Sequence, residues 1–297
     1  MYAVIGIVLV IAAIIGGYLM EHGQLMVLFQ PAELVIIGGS AIGTLLIGNP
    51  LSTVIAIGKR IIGILKPSPF TKKFYLETLQ MFDELFTSAR KMGVTKLEAD
   101  IEDPENSTVF SKYPAFLKNK KALLFVCDTI RTHLTGGVMA HDLDTLMELD
   151  IEIQQHENAE PVHALSTVAD ALPGLGIVAA VLGIVITMGA LGGPPEEIGH
   201  KVAAALVGTF LGILMCYGFL APLAANIMKQ NEAETQYFNC LRSGVIAYVK
   251  GAPPVLAVEF VRRSIPVHER PTFKDLEVAI KGGGEAAPAA EPKAAAA

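Results

Sequence analysis

Four long runs of uncharged, mostly apolar residues divide this chain of 297 residues. They are Met1–Met20, Leu34–Gly58, Ala171–Gly193 and Val202–Met228. An α-helix needs roughly 20 such residues to cross the hydrocarbon core of a bilayer, so each run predicts a membrane-spanning helix. Asn49-Pro50 interrupts the second run, which is predicted to span up to that pair and then to continue as an amphipathic helix. No basic segment precedes the first run, so it is predicted to be a retained span rather than a signal peptide.

The segment between the second and third runs is polar, but its apolar residues recur at helical spacing, which predicts amphipathic helices. They are Phe74, Leu76, Leu79, Phe82, Leu85 and Phe86, and later Leu143, Leu146, Leu149 and Ile153. We expect a compact helical unit here. A further helix is predicted over Lys229–Val249, ending before the Gly251-Ala252-Pro253-Pro254 break.

The basic residues are distributed unevenly: none precedes Lys59, 13 lie from Lys59 to Arg131, one is Lys201, and nine lie from Lys229 to Lys293. Cytoplasmic segments of membrane proteins carry the excess of Lys and Arg. Both termini and the long middle segment are therefore predicted to be cytoplasmic, with the two short links facing outward. The predicted fold is an all-α integral membrane protein with four transmembrane helices.

The predicted organisation follows from the spans and the charges. Its segments are transmembrane helices one and two in residues 1–58, a helical cytoplasmic domain in 59–170, transmembrane helices three and four in 171–228, a cytoplasmic C-terminal helical region in 229–281 and a disordered tail in 282–297. The tail prediction rests on its Gly, Ala, Pro and Glu composition.

Composition argues against several classes of function. The chain is 52% hydrophobic and 18% charged, whereas soluble domains are about 25% charged. No basic stripe with interleaved aromatics predicts nucleic-acid binding. The stretch Gly174–Ala179 has the spacing of a dinucleotide fingerprint, but it follows no strand. No metal-ligand, nucleophile–base or phosphate-loop pattern stands out, so no enzyme, cofactor or metal site is predicted.

The four runs contain no Asp, Glu, Lys, Arg or His. Proteins that move ions place ionisable side chains within the bilayer, where such groups are too costly to keep without function. If this chain conducts ions, another chain is therefore expected to supply the carrier. Otherwise the chain is a scaffold. A carrier or membrane enzyme is the alternative of a different class, but it would need polar groups in the spans.

Small residues and prolines distinguish the third and fourth runs. The small residues are Ala204, Gly208, Gly212 and Cys216 on the fourth run, and Gly176, Ala180 and Gly183 on the third. Such stripes let helices approach closely in lipid, either within this chain or around a partner's helix. Pro173 and Pro222 each remove a backbone hydrogen bond, so each is either a simple kink or a hinge.

These runs also resemble a known family. The stretch Ala205–Leu214 (ALVGTFLGIL), followed after seven residues by Pro222, is similar to the MotA/PomA signature, and so is Gln30–Leu34 (QPAEL). Further matches occur in the same order at Gly17–Leu19, Leu97–Glu102, Leu172–Ala180, Ala252–Pro254 and Arg270–Phe273. The resemblance covers about residues 1–281, and the Ala/Pro-rich tail departs from it.

The resemblance implies an ion-conducting stator subunit of the bacterial flagellar motor, located in the inner membrane. It implies a pentamer of this chain, embedded in membrane lipid, around a MotB-type partner that supplies an essential membrane Asp. Pro173 and Pro222 are then expected to couple ion passage to conformational change. Arg90 and Glu98 match the charged pair that engages a FliG-type rotor protein.

The conducted ion is predicted from two positions. In sodium-type relatives a Thr occupies the position that matches Ala180. Together with the Thr that matches Thr209, it gives those relatives two hydroxyls near the partner's Asp. Sodium needs oxygen ligands to replace its water, and Ala180 offers only a methyl group, so a proton is predicted. The alternatives are a sodium-driven PomA-type stator and an ExbB/TolQ-type energiser of envelope machinery. The latter has three spans.

Overall fold

The computed structural model describes residues 2–65, 68–189 and 192–281, and these residues form helices and no strand. The all-α prediction is therefore confirmed. The predicted disorder of 282–297 lies outside the described residues. In chain order the α-helices are α1 (Tyr2–Met20), α2 (Leu25–Leu28), α3 (Pro31–Gly48), α4 (Leu51–Gly63), α5 (Lys72–Met92), α6 (Val94–Glu102), α7 (Pro114–Lys118), α8 (Lys120–Gly136), α9 (Ala140–Met188), α10 (Pro195–Ile213), α11 (Ala221–Val249), α12 (Pro254–Ser264) and α13 (Phe273–Lys281).

The chain divides into two compact units. Among the described residues, the first contains 2–65, 155–189 and 192–232, and the second contains 68–154 and 233–281. The long helices α9 and α11 contribute residues to both units. The predicted segment boundaries describe placement in a membrane, and they stay a prediction.

The described residues contain four helical stretches that are long and apolar enough to cross a membrane by length and composition. They are Ala3–Met20, Leu25–Gly48, Ala140–Met188 and Pro195–Val249. The second stretch corrects one expectation. Its helix α3 begins at Pro31, three residues before the predicted run, so an acidic residue, Glu33, lies inside it. Proline is favoured at the first position of a helix because its missing N–H would have no partner there.

The first unit contains two clusters of buried apolar residues and a polar network that joins α4, α9 and α11. α3 ends at Gly48, and α4 begins after Asn49-Pro50, as the sequence predicts. Arg60 of α4 donates to the side-chain oxygens of Asn158 on α9 and Asn231 on α11, the latter at 2.8 Å. The Asn231 amide in turn donates to the backbone carbonyl of Asn158 at 2.7 Å. These bonds satisfy polar groups whose burial would otherwise be costly.

The second unit surrounds α5. Of the apolar residues predicted to recur along this helix, Leu79, Phe82, Leu85 and Phe86 have 0% exposure. Phe74 and Leu76 are partly buried and pack against the same core. Phe86 stacks on Tyr248 of α11 with ring centroids 4.5 Å apart. The second predicted apolar set is helical, but only one of its members, Leu143, is buried within the chain. On α9 the core-facing residues are Leu143, Met147 and Ile151, whereas Leu146, Leu149 and Ile153 are exposed.

Candidate functional site

The backbones of α9 and α10 touch at a group of glycines in the first unit. A Cβ placed on Gly176 would lie 2.9 Å from the carbonyl oxygen of Gly208 and 3.1 Å from the Cα of Gly212. A Cβ placed on Gly212 would lie 2.6 Å from the carbonyl oxygen of Leu172. No side chain larger than hydrogen fits at such distances without moving a helix, so the glycines define how closely α9 and α10 approach.

Of the two roles left open for the small-residue stripes, the structure shows packing within the chain. Gly208, Gly212 and Cys216 are all buried. Further along the same contact, a Cβ on Gly183 of α9 would lie 2.8 Å from the Cβ of Ala205 on α10. The close approach permitted by small residues is thus used between α9 and α10.

Ala180 and Thr209 flank this contact. Both are partly exposed in the chain, whereas their neighbours Ala179 and Gly208 are buried. A Cβ on Gly208 would lie 3.2 Å from the Cβ of Ala179. The structure therefore brings the two predicted ion-pathway positions to the same region of the first unit, each one residue from the α9–α10 contact.

Glu33 lies in the same region, and its burial was not predicted from the sequence. Its residue exposure is only 6%. A Cβ on Gly208 would lie 2.7 Å from Glu33 Oε2. That oxygen is buried and accepts no hydrogen bond within the described chain. The available signal was the helix-starting Pro31, which places a residue two positions later inside the first helical turn.

The two predicted hinge prolines lie in different local structures. Pro173 is inside α9, which continues on both sides of it. Pro222 is the second residue of α11, directly after a π-helix over Leu214–Leu220. There the N–H of Ala221 donates to the carbonyl of Cys216, five residues back. π-helical turns are rare and are frequent at functional sites, and no residue pattern in this stretch had indicated one.

Arg90 and Glu98 are both exposed in the second unit. Arg90 is in the last turn of α5, and Glu98 is on α6 after a single linking glycine, Gly93, with φ of 88°. That φ favours glycine because side chains rarely adopt it. Ala89 and Leu97, the chain neighbours of the two charged residues, are buried in one core, which fixes both helices beneath them.

The two cysteines of the second unit, Cys127 and Cys240, are buried in its apolar core. Burial raises the pKa of the Cys127 and Cys240 thiols to about 12 in each case, which disfavours the thiolate needed for nucleophilic chemistry. Within residues 2–65, 68–189 and 192–281, no group of three or more His, Cys, Asp or Glu side chains is arranged to hold a metal ion.

Comparison with known proteins identifies the class. The family model described as "MotA/TolQ/ExbB proton channel family" matches residues 119–239, and "Motility protein A N-terminal" matches residues 4–93. These matches point to a channel family rather than to an enzyme.

Individual relatives narrow this class. The chain is 39% identical to Motility protein A of Escherichia coli strain K12 over 95% of each chain. It is 37% identical to the chemotaxis protein LafT of Vibrio parahaemolyticus, over 92% of this chain and 96% of that protein. The chain therefore belongs to the motility protein A family.

Two solved complexes share the fold. The C. jejuni MotAB structure superimposes with a TM-score of 0.74 at 18% identity, covering 90% of this chain and 96% of that chain. The flagellar MotAB stator complex from Bacillus subtilis gives a TM-score of 0.74 at 22% identity, covering 91% and 98%.

Proposed function

We propose that this chain is the MotA-type stator subunit of a bacterial flagellar motor, which couples proton flow to torque on the rotor. The observation that carries the proposal is the 39% identity to Motility protein A of Escherichia coli across 95% of both chains. The shared fold with two MotAB complexes supports a MotB-type partner. A homopentamer around that partner follows from the family resemblance.

The proposed location is the bacterial inner membrane, crossed four times with both termini in the cytoplasm. Four sufficiently long apolar helical stretches support multiple spans. The concentration of Lys and Arg after the second and fourth stretches supports cytoplasmic termini. Residues 59–170 and 229–281 then form the cytoplasmic parts, which are able to meet a FliG-type rotor protein.

The proposed mechanism begins at the partner's membrane Asp. A proton moving down the membrane potential releases about 2.3 kcal/mol per 100 mV. Its binding neutralises the Asp and removes the cost of carrying a charge past apolar side chains. The pentamer then steps relative to the partner. Thr209 is the hydroxyl proposed to contact the carboxyl, and Ala180 leaves no second hydroxyl for sodium.

The step is proposed to reach the rotor through the helices that carry the prolines. Energy becomes motion when proton binding changes the balance between two conformations. Pro173 and Pro222 each leave a backbone carbonyl without its usual helical partner, and the π-helix before Pro222 supports a deformable segment there. Arg90 and Glu98 are exposed on the second unit, which supports their proposed contact with the rotor.

Deletion and complementation test this function. Cells of the source bacterium without this gene are expected to build flagella but not to swim, and the full-length gene should restore swimming. The MotB-type subunit should co-purify with the tagged chain from detergent-solubilised membranes. Normal swimming of the deletion strain, with no second stator gene present, would contradict the proposal. Loss of envelope functions with normal swimming would favour the ExbB/TolQ-type alternative.

A further inference from the structure

Among the described residues, two acidic side chains have a buried oxygen without a hydrogen bond, Glu33 and Asp100, and their surroundings differ. The other oxygen of Asp100, Oδ1, accepts from Lys96 Nζ at 2.9 Å and from Ser107 Oγ at 2.7 Å. Glu33 has no ion pair or hydrogen bond of its side chain within the described chain. Its charge, if present, would be buried without compensation.

Two opposing effects determine the state of this carboxyl. Its position in the first turn of α3 favours a negative charge, because helix N-termini carry a partial positive charge. Burial without a partner disfavours that charge, and the desolvation penalty of an ion exceeds the effect of one helix terminus. The neutral acid is therefore the form that fits this position.

The titratable residues of α10 nearest to Gly208 in the chain lie about two helical turns from it. They are Lys201, which pairs with Glu197 at 2.9 Å, and His200. Gly208 of α10 and Ala179 of α9 meet beside Glu33 Oε2, and neither is titratable. Helix α2 (Leu25–Leu28), which also packs against α10, contains no titratable residue. The surface that Gly208 presents is bare backbone, which allows the carboxyl to approach it closely.

We propose that Glu33 is a proton-binding site of this chain. The carboxyl holds its proton while it rests against Gly208 and releases it when the α3–α10 contact opens. On release the O–H bond of the acid breaks, the proton passes to a water molecule and a carboxylate remains; rebinding reverses the step. The role in proton passage rests on the proposed function, whereas the protonated state rests on burial.

This site adjoins the proposed ion pathway. Gly208 and Ala179 directly precede Thr209 and Ala180 in the chain. A second exchangeable proton therefore lies beside the positions where the partner's Asp is proposed to act. This chain then contributes a proton carrier of its own, which the uncharged runs of the sequence did not predict.

Infrared spectroscopy of the purified full-length stator complex in lipid tests the proposal. A protonated carboxylic acid has a carbonyl stretching band separate from that of a carboxylate. Labelling glutamate with ¹³C shifts bands from Glu but not from the partner's Asp. We expect a glutamic acid band in the wild-type complex that is lost in Glu33→Gln. The matched control is Glu21→Gln, because Glu21 is exposed, and this variant should retain the band.

Two further variants keep the test decisive if Glu33→Gln does not assemble. Glu33→Asp keeps a carboxylic acid at this position but removes the labelled glutamate, so the ¹³C-shifted acid band should be lost. Gly208→Ala places a methyl group 2.7 Å from Oε2, which displaces the carboxyl, so the band should shift or disappear. A wild-type complex without a glutamic acid band, or an assembled Glu33→Gln complex that keeps it, overturns the proposal. Swimming assays test the stator function separately, since the band is measured without a rotor.

Discussion

Among individual residues, Glu259 of α12 forms an ion pair that stabilises the second unit. Arg262 donates two hydrogen bonds to the Glu259 carboxylate, both 2.7 Å long. Arg263 adds a third at 2.7 Å, but its side chain is 74% exposed, so it contributes little. Hydrogen bonds from Arg262 above all lower the pKa of Glu259 to about 2. Bidentate hydrogen bonds between Arg and a carboxylate are among the stronger hydrogen bonds in proteins.

Glu259→Gln is expected to lower the stability of the second unit by about 2 kcal/mol at neutral pH. Because the folded pKa lies below the ordinary value of 4.5, the stabilisation is present above that value and is lost as the pH falls towards about 2. Thermal unfolding of the purified chain across this range measures it. Glu277→Gln on the exposed surface is the control. Equal melting temperatures for wild type and Glu259→Gln would contradict the prediction.

Charge reversal at Arg90 or Glu98 is expected to reduce swimming without reducing membrane insertion or partner binding. Both side chains are exposed, and exposed charges contribute little to folding. An opposite reversal on the rotor protein should restore part of the speed, since complementary charges determine such interfaces. Lys274→Glu, at an exposed position on α13, is the control. An Arg90→Glu protein that is absent from the membrane would instead make Arg90 a structural residue.

At the scale of elements, the contact between α9 and α10 depends on backbone proximity. Gly212→Ala would place its methyl group 2.6 Å from the Leu172 carbonyl oxygen and 2.8 Å from the Gly176 Cα. Backbone atoms cannot yield as a flexible side chain does, so we expect a destabilisation of about 1–3 kcal/mol. It should appear as a lower melting temperature of the purified complex. Gly174→Ala, where no atom lies within 4 Å, should not lower it.

The proline prediction belongs to the same elements. Pro173→Ala and Pro222→Ala each restore a backbone N–H, so each should make its helix more regular and stiffer. Assembly with the partner should be preserved while rotation speed falls, because the segment that must switch is less deformable. Tethered-cell rotation and co-purification measure the two effects. If both variants rotate normally, the prolines are ordinary helix kinks without a role in coupling.

Some elements were predictable from the sequence, and others depended on contacts that it does not display. The helical spacing of apolar residues predicted α5, and Asn49-Pro50 marked the end of α3. On α9 the apolar residues run around the helix, so periodicity alone did not separate buried Met147 from exposed Leu146. The π-helix before Pro222 was not predictable because single turns of this kind have no distinct residue pattern.

The candidate site was also predictable only in part. Resemblance identified Ala180, Thr209 and the prolines, and the structure brings Ala180 and Thr209 close to one helix contact. Glu33 was missed because the apolar run was counted from Leu34. The sequence shows where an apolar run ends, but it does not show whether an acidic residue next to that end is solvated or buried. Only its position against Gly208, a contact between distant parts of the chain, shows that it is buried.

For the whole molecule, the remaining question is which ion drives the complex. Sodium requires several oxygen ligands to replace its hydration shell. Ala180 supplies none at the position where sodium-type relatives have a hydroxyl, which leaves Thr209 as the hydroxyl of this pair. A proton requires only a carboxylate. Proton drive is therefore expected, and it agrees with a chain whose own buried acid, Glu33, is suited to hold a proton.

Swimming speed separates the two ions. In sodium-free, potassium-based buffer the cells should swim as fast as in sodium buffer, and a protonophore should stop them in both. The matched variant is Ala180→Thr, which adds the second hydroxyl. One added ligand does not complete a sodium site, since the partner also lines the pathway, so this variant should remain proton-driven with reduced speed. Motility that stops without sodium yet survives the protonophore would contradict proton drive, while leaving the family and the stator function intact.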